Sequence, residues 1–258
     1  MILSDKKSLY EIYYRKKKNG KKRIIHAPCE ELKLEQRRIK NRLEEDEWIS
    51  SFCHGFRKGS SASNAAVMHT QKDWILNIDI ADFFPSIRKS DLYFLDEYES
   101  EVSTYENKLV QGSPCSPIIS NIILREFDED LNQSLDTGNL DYSRYADDIT
   151  ISGYDKPDIK ALIDTVRSRL RYSGFRVRND KIQYSYKNSS QKVLGMTVNE
   201  KVSMNRETRK KLRAAIYSGN VSSEEMGYLA YLNSVNPEQY LKLMRYKKTC
   251  DAKRLLNR

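Results

Sequence analysis

Two aspartates stand side by side on a tight turn, and no other feature of the chain restricts its fold as much. Asp141-Tyr-Ser-Arg-Tyr and Ile149-Thr-Ile-Ser-Gly153 are short β-prone runs joined only by Ala146-Asp147-Asp148, which predicts a hairpin with two carboxylates at its tip. A third carboxylate, Asp79, lies near the end of the apolar run Trp74-Ile-Leu-Asn-Ile-Asp-Ile80, which reads as a buried strand. An ionised group there needs a reason. The 68 residues from Asp79 to Asp147 suit a β-α-β arrangement that brings the two strands together. A lone Asp-Asp pair reads equally as a solvated turn. Three converging carboxylates instead repel one another unless cations neutralise them. The natural occupants are two magnesium ions, with manganese as a substitute, held roughly 3.5–4 Å apart as in two-metal phosphoryl transfer.

Charge points to the partner. The chain carries 45 Lys+Arg and 36 Asp+Glu, a formal +9. Residues 1–40 hold 13 basic and 5 acidic groups and residues 200–258 hold 13 and 6, so the stretch between them is net acidic. Basic arms around an acidic centre suit phosphate contacts around a cation site. The sequence has neither an apolar run of about 20 residues for a membrane span nor the apolar stretch of a signal peptide, and a cytoplasmic location is expected. Cys29, Cys53, Cys115 and Cys250 are scattered and only three histidines accompany them, which argues against a zinc site or a disulfide framework.

Along the chain, Tyr10-Glu-Ile-Tyr-Tyr and Arg23-Ile-Ile-His predict a hairpin around Lys16-Lys-Lys-Asn-Gly-Lys-Lys22, with Asn19-Gly20 as its turn. Leu32, Gln36, Ile39 and Leu43 recur at helical spacing over 30–47. Gln111-Gly-Ser-Pro-Cys-Ser-Pro117 is a turn-rich loop leading into a helix expected over Ile118–Leu131, a corner suited to anions. Residues 158–172 read as helix. Phe175-Arg-Val and Lys181–Tyr186 read as strands, Lys192–Val198 as a strand pairing with Lys201–Met204, and the remainder from Arg206 as helix.

Several of these segments, in this order, resemble the motifs of reverse transcriptases. Tyr145-Ala-Asp-Asp148 is similar to the family's signature hairpin, Asn77-Ile-Asp79-Ile-Ala-Asp-Phe-Phe84-Pro-Ser-Ile to its first carboxylate motif, and Gln111–Pro117 to its template-and-nucleotide loop. Arg23-Ile-Ile-His-Ala-Pro28 with Leu32, Lys33 and Gln36, and Cys53-His-Gly-Phe-Arg-Lys-Gly-Ser60, resemble its two fingers motifs. Asn64-Ala65 ahead of His69, and Lys192-Val-Leu-Gly195 before the basic helix Arg206–Arg213, resemble the retron type most, with one extra residue before His69 and Leu194 where the retron pattern has Thr.

The resemblance implies an α+β right-hand polymerase fold: fingers over 1–73 with the basic hairpin, a palm over 74–203 of antiparallel sheet with helices on one face (88–115 partly fingers), and a helical thumb over 204–258. It implies that Asp79, Asp147 and Asp148 bind the metals, joined by the backbone of Ile80, which with Ala81 runs close to the triphosphate. Phe84 would be the aromatic gate against a ribose 2′-hydroxyl, or else a core aromatic beside Phe83 on the opposite face of a strand. Arg23 would pair with the triphosphate and Gln111 would steady the sugar edge. Lys181 would protonate the leaving pyrophosphate, or else be a surface lysine on a strand. The hairpin lysines supply a second cation or are simply solvated. Lys210, Lys211 and Arg213 would lie along the primer-template duplex, while Tyr228, Tyr231, Tyr240 and Tyr246 are stacking platforms or thumb core.

The expected activity is RNA-directed DNA synthesis from deoxynucleoside triphosphates on a structured noncoding RNA, for antiviral defence beside an effector protein and away from membranes. The alternatives are a defence-associated relative that extends DNA without a template and a catalytically silent RNA-binding scaffold.

Overall fold

In the computed structural model, which describes residues 6–16, 20, 22–45, 48–136 and 139–256, a four-stranded sheet carries all three aspartates. Its strands are β3 (Trp74–Asp79), β6 (Asp141–Tyr145), β7 (Asp148–Gly153) and β8 (Gln183–Tyr186), in the order β6-β7-β3-β8 and antiparallel throughout. The expected β-α-β return is therefore corrected. β3 and β7 are neighbours, but the chain enters β7 at the end where it leaves β3, so the strands run in opposite directions, as in the antiparallel palm that the resemblance implies.

The other elements are the hairpin β1 (Tyr10–Lys16) and β2 (Lys22–Pro28), the ribbons β4 (Thr104–Tyr105) with β5 (Lys108–Leu109), and a small sheet of β9 (Lys192–Val193), β10 (Met196–Thr197) and β11 (Ser203–Met204). The helices are α1 (Glu30–Glu45), α2 (Ala62–Met68), the single turn α3 (Phe83–Ser86), α4 (Glu97–Ser103), α5 (Ser116–Ile123), α6 (Arg125–Asp136), α7 (Ile159–Tyr172), α8 (Arg206–Ser218), α9 (Ser223–Val235) and α10 (Pro237–Leu256).

Strand alternation decides what each face of the central sheet does. Trp74, Leu76, Ile78, Ile149 and Ile151 form one core with Phe127 and Leu131 of α6 and Leu162, Val166 and Leu170 of α7. The opposite face begins with Asp79 and Asp148, continues through Asn77 and Thr150, and is closed lower down where Ile75 packs with Ala66, Val193 and Met196. Helices thus cover one face across β6, β7 and β3, and the other is open at its acidic end. His69, just after α2, fixes this cover to the sheet. Its ring nitrogens lie 2.7 Å from Ser152 Oγ and 2.8 Å from Ser143 Oγ. Burial, reinforced by the charges of Lys72 and His54, lowers its pKa to about 3, so it ties the layers together as a neutral ring.

All four α1 residues at helical spacing, Leu32, Gln36, Ile39 and Leu43, are buried. Gln36 is the unexpected member, and its amide donates to Val102 O at 2.9 Å and Tyr10 Oη at 3.1 Å. Helices α8, α9 and α10 have their own core of Leu212, Ile216, Leu229, Leu232 and Leu243. All four cysteines are free.

Local expectations fail where tertiary packing overrides them. The helix expected over 118–131 is two helices that break at the fully buried Leu124. Phe175–Val177 makes only one bridge, Val177 to Ile80, and Lys181 belongs to a 3-10 turn ahead of β8. Phe83 and Phe84 do not alternate on a strand. Asp82 adopts a left-handed conformation (φ 46°) that turns the chain into α3, leaving the two rings stacked at a tilt 5.1 Å apart. Leu194-Gly195 (φ 50° and 81°) inserts an extra turn, so 192–204 forms three strands rather than two. Of the basic hairpin's tip, Lys17, Lys18, Asn19 and Lys21 lie outside the described residues.

Candidate active site

Asp79 and Asp148 are directly opposed in the β3–β7 register. Side chains so paired leave the same face with Cβ atoms about 5 Å apart. Asp147 completes the group from the two-residue turn Ala146-Asp147, where Ala146 has φ 54°. The turn is stitched to β3 by Ile80 N–H, which donates to Asp147 O at 2.8 Å.

The three charges act on one another. Burial and then the Asp79 charge raise the Asp147 pKa, against the lowering pull of Lys181 and Arg23. Asp148 is exposed, yet the protein around it displaces much of its water. That loss of water, with the charges of Asp147 and Asp79, pushes its pKa up to about 7. Asp79 is nearly buried, and its oxygens pair with Lys181 Nζ and, at 3.3 Å, with Arg178 Nη1. Among the described residues, no three acidic, histidine or cysteine side chains already stand as a ligand cage. The donor set nonetheless fits a hard divalent cation. It is all carboxylate oxygen, it gathers three like charges, and the raised proton affinities of Asp147 and Asp148 are what a 2+ ion relieves.

The hairpin itself rests on a buried polar network that the sequence reading missed. Arg144 and Asp128 of α6 are both fully buried and form a bidentate pair, Nε–Oδ1 and Nη2–Oδ2, each at 2.7 Å. Tyr142 Oη donates to the same Asp128 Oδ1 at 2.6 Å. The remaining Arg144 nitrogen, Nη1, donates to Ala146 O in the turn at 3.1 Å and to Asn121 Oδ1 at 3.3 Å. Asn121 Nδ2 in turn donates to Gly55 O at 2.8 Å. Burial opposes the Arg144 charge, but the Asp128 carboxylate outweighs it and holds the guanidinium firmly protonated. A side chain at Gly55 would stand 2.6 Å from Ala146 N, so only glycine lets this segment lie against the turn. The signal was in the sequence: strand alternation places Arg144 with Tyr142 on the core-facing side of β6, where an arginine requires a buried partner.

The other expected residues are distributed as follows. Arg23 is exposed on β2, with its charge acting on Asp147. Gln111 O accepts His26 N–H at 2.9 Å, and a Cβ on Gly112 (φ 122°) would collide with the His26 carbonyl, so the loop lies flat on the strand that bears Arg23. The amides of Ile80 and Ala81 are engaged by Asp147 O and Arg176 O, both at 2.8 Å. Phe84, in α3, is half-buried. Lys181 stands at Asp79. Lys210, Lys211 and Arg213 are exposed on α8, with Arg213 4.7 Å over the Tyr246 ring. Tyr240 and Tyr246 pack on the core of α8, α9 and α10, while Tyr228 and Tyr231 are largely at the surface, their hydroxyls donating to Glu224 and to Met196 Sδ. Ser113 is buried in the loop and Ser116 at the start of α5.

Comparison with known proteins agrees with this geometry. The family described as reverse transcriptase (RNA-dependent DNA polymerase) matches residues 14–198. The chain is 31% identical over 255 residues to the retron Ec86 reverse transcriptase of Escherichia coli, spanning 92% of this chain and 80% of that protein. It is 30% identical over 268 residues to the retron Mx65 reverse transcriptase of Myxococcus xanthus, spanning 90% of this chain and 62% of that one. In fold it is similar to telomerase from Candida albicans solved with a fragment of telomeric RNA, at TM-score 0.51 and 12% identity, covering 93% of this chain and 60% of the other.

Proposed function

Since the chain belongs to the retron-type reverse transcriptases, RNA-directed DNA polymerases that use a divalent metal, we propose that Asp79, Asp147 and Asp148 hold two magnesium ions where the new phosphodiester forms. The observation that carries this reading is the register that sets Asp79 opposite Asp148, with Asp147 on the adjoining turn. Bound there, divalent ions supply activation of the primer hydroxyl and charge neutralisation on the leaving pyrophosphate.

The protein's own groups do the rest. The backbone at Ile80 completes the metal site and, with Ala81, follows the triphosphate. Arg23 supplies a planar fork of donors to the triphosphate from the side that faces Asp147. Lys181, paired with Asp79, gives a proton to the departing pyrophosphate. Gln111 steadies the sugar edge, its loop fixed on β2. Lys210, Lys211 and Arg213 track the duplex phosphates. Among the described residues, no helix is long and apolar enough to cross a membrane.

Phe84 selects the sugar by excluding a 2′-hydroxyl. Phe84→Ala should therefore narrow the preference for deoxynucleotides over ribonucleotides by about a hundredfold, read as the ratio of kcat/KM values. An unchanged ratio assigns the gate to another side chain.

The template is a structured noncoding RNA, copied for antiviral defence beside an effector protein. This reading is supported by the retron relatives and by the basic ends of the chain. Sequencing the nucleic acid that copurifies with the protein tests it. The expected product is one RNA species joined through an internal 2′-hydroxyl to its DNA copy, and a mixture of unbranched cellular RNAs contradicts the proposal.

A further inference from the structure

Beside the acidic end of the sheet runs a groove of about 580 Å³ whose arginines none of the roles above uses. Ala81 and Asp82 form one wall and the 175–180 segment with α7 forms the other. Four arginines line it, Arg167, Arg171, Arg176 and Arg178, against two carboxylates, Asp82 and Asp180. Two of the four are committed elsewhere: Arg167 to Asp164 and Asn179, and Arg178 to Asp79. The Arg176 guanidinium, 80% exposed, is only loosely held, 3.8 Å from Asp82. Among the described residues, no carboxylate pairs with Arg171. A second concavity of about 760 Å³ shares Asp82 and Arg176 and adds two basic groups, Arg88 and Lys108, against one further carboxylate, Asp91.

The groove's position gives this charge a use. Arg178 belongs to its wall and also touches Asp79, and its backbone N–H donates to Asp79 O at 2.8 Å. The same wall continues through Asn179 and Asp180 into the turn that carries Lys181. An arginine-lined groove thus adjoins Asp79 through Arg178, on the side where the Lys181 turn stands. We propose that it is a polyphosphate-binding subsite, with Arg171 and Arg176 as the anion-holding residues on the path between the carboxylate site and solvent. Two polyphosphates pass there: the triphosphate of the arriving nucleotide and the pyrophosphate released when the α–β phosphoanhydride bond breaks. Arginine suits both because its fork donates two parallel hydrogen bonds to phosphate oxygens. The inference rests on Asp79, Asp147 and Asp148 being the reaction centre.

The double variant Arg171→Ala/Arg176→Ala tests it, since both side chains are exposed and the change removes no core packing. Calorimetric titration of pyrophosphate into the primer-free protein reads the groove without the chemistry, and the variant should bind about tenfold more weakly. In RNA-templated extension, a tenfold rise in the inhibition constant for pyrophosphate marks the product as the occupant. A tenfold rise in KM for the deoxynucleotide marks the substrate. Equal pyrophosphate affinity in wild type and variant, with neither kinetic constant moved, overturns the proposal. Failure of the carboxylate reading shows differently, as extension that survives loss of an aspartate while the titration still distinguishes the two proteins.

Discussion

Asp147→Asn is expected to lower RNA-templated nucleotide incorporation by about a thousandfold, some 4 kcal/mol of transition-state stabilisation, while the protein stays folded. Asparagine keeps the size of the side chain. It also leaves the backbone bond from Ile80 N–H to Asp147 O, so the turn keeps its shape. What disappears is one of three negative charges that face one another, and with it the means of holding a second divalent ion. Stability should hold or rise slightly, because removing the 147 charge relieves repulsion that raises the pKa of Asp148. Single-turnover extension with magnesium and deoxynucleotides, beside a thermal melt, checks both halves. Incorporation within tenfold of wild type would remove Asp147 from the chemistry.

Arg144→Met has the largest expected effect on stability. Arg144 and Asp128 are both fully buried, and removing the guanidinium leaves the Asp128 carboxylate with Tyr142 Oη as its remaining partner. Breaking a buried pair in this way costs about 3–5 kcal/mol, or ~10 °C in Tm for a chain of this size. The double variant Arg144→Met/Asp128→Leu should recover much of that loss, because apolar groups of similar volume need no counter-charge. Activity should not return with it. Arg144 also donates to the carbonyl of Ala146, and without that bond the turn that aims Asp147 loses its support from below. A drop of less than about 1 kcal/mol for the single variant, by denaturant titration, would mean that the network does not brace the hairpin.

How much of this was legible in the sequence depended on whether a contact leaves a local pattern. The α1 stripe did, because four residues at helical spacing declare one buried face, even with a glutamine among them. The acidic hairpin did as well, since adjacent charges between two apolar strands leave few explanations. The direction of β7 against β3 did not follow from spacing, although the motif resemblance implied an antiparallel palm. Chain separation suggests that two strands meet but says nothing about which end the chain returns from. The Leu124 break left no Gly or Pro to announce it, and is set by packing around a fully buried side chain. Asp82 was hidden for a related reason, since a single left-handed aspartate converts an expected strand into the turn that carries Phe84. The Arg144 network lies between these cases. The core-facing position of the arginine is readable from alternation, whereas its partner Asp128, on a helix 16 residues earlier, emerges only when α6 packs on the sheet.

The central claim is that three acidic side chains jointly hold divalent ions, and the most direct measurement is to locate those ions. Crystals of the wild-type protein with primer-template, a non-hydrolysable deoxynucleotide and manganese should give two anomalous peaks bounded by Asp79, Asp147 and Asp148, with Asp79 turned from Lys181 toward metal. Crystals of Asp147→Asn grown the same way should lose at least one peak. Two peaks at full strength in that variant, or none beside these residues in the wild type, would contradict the account.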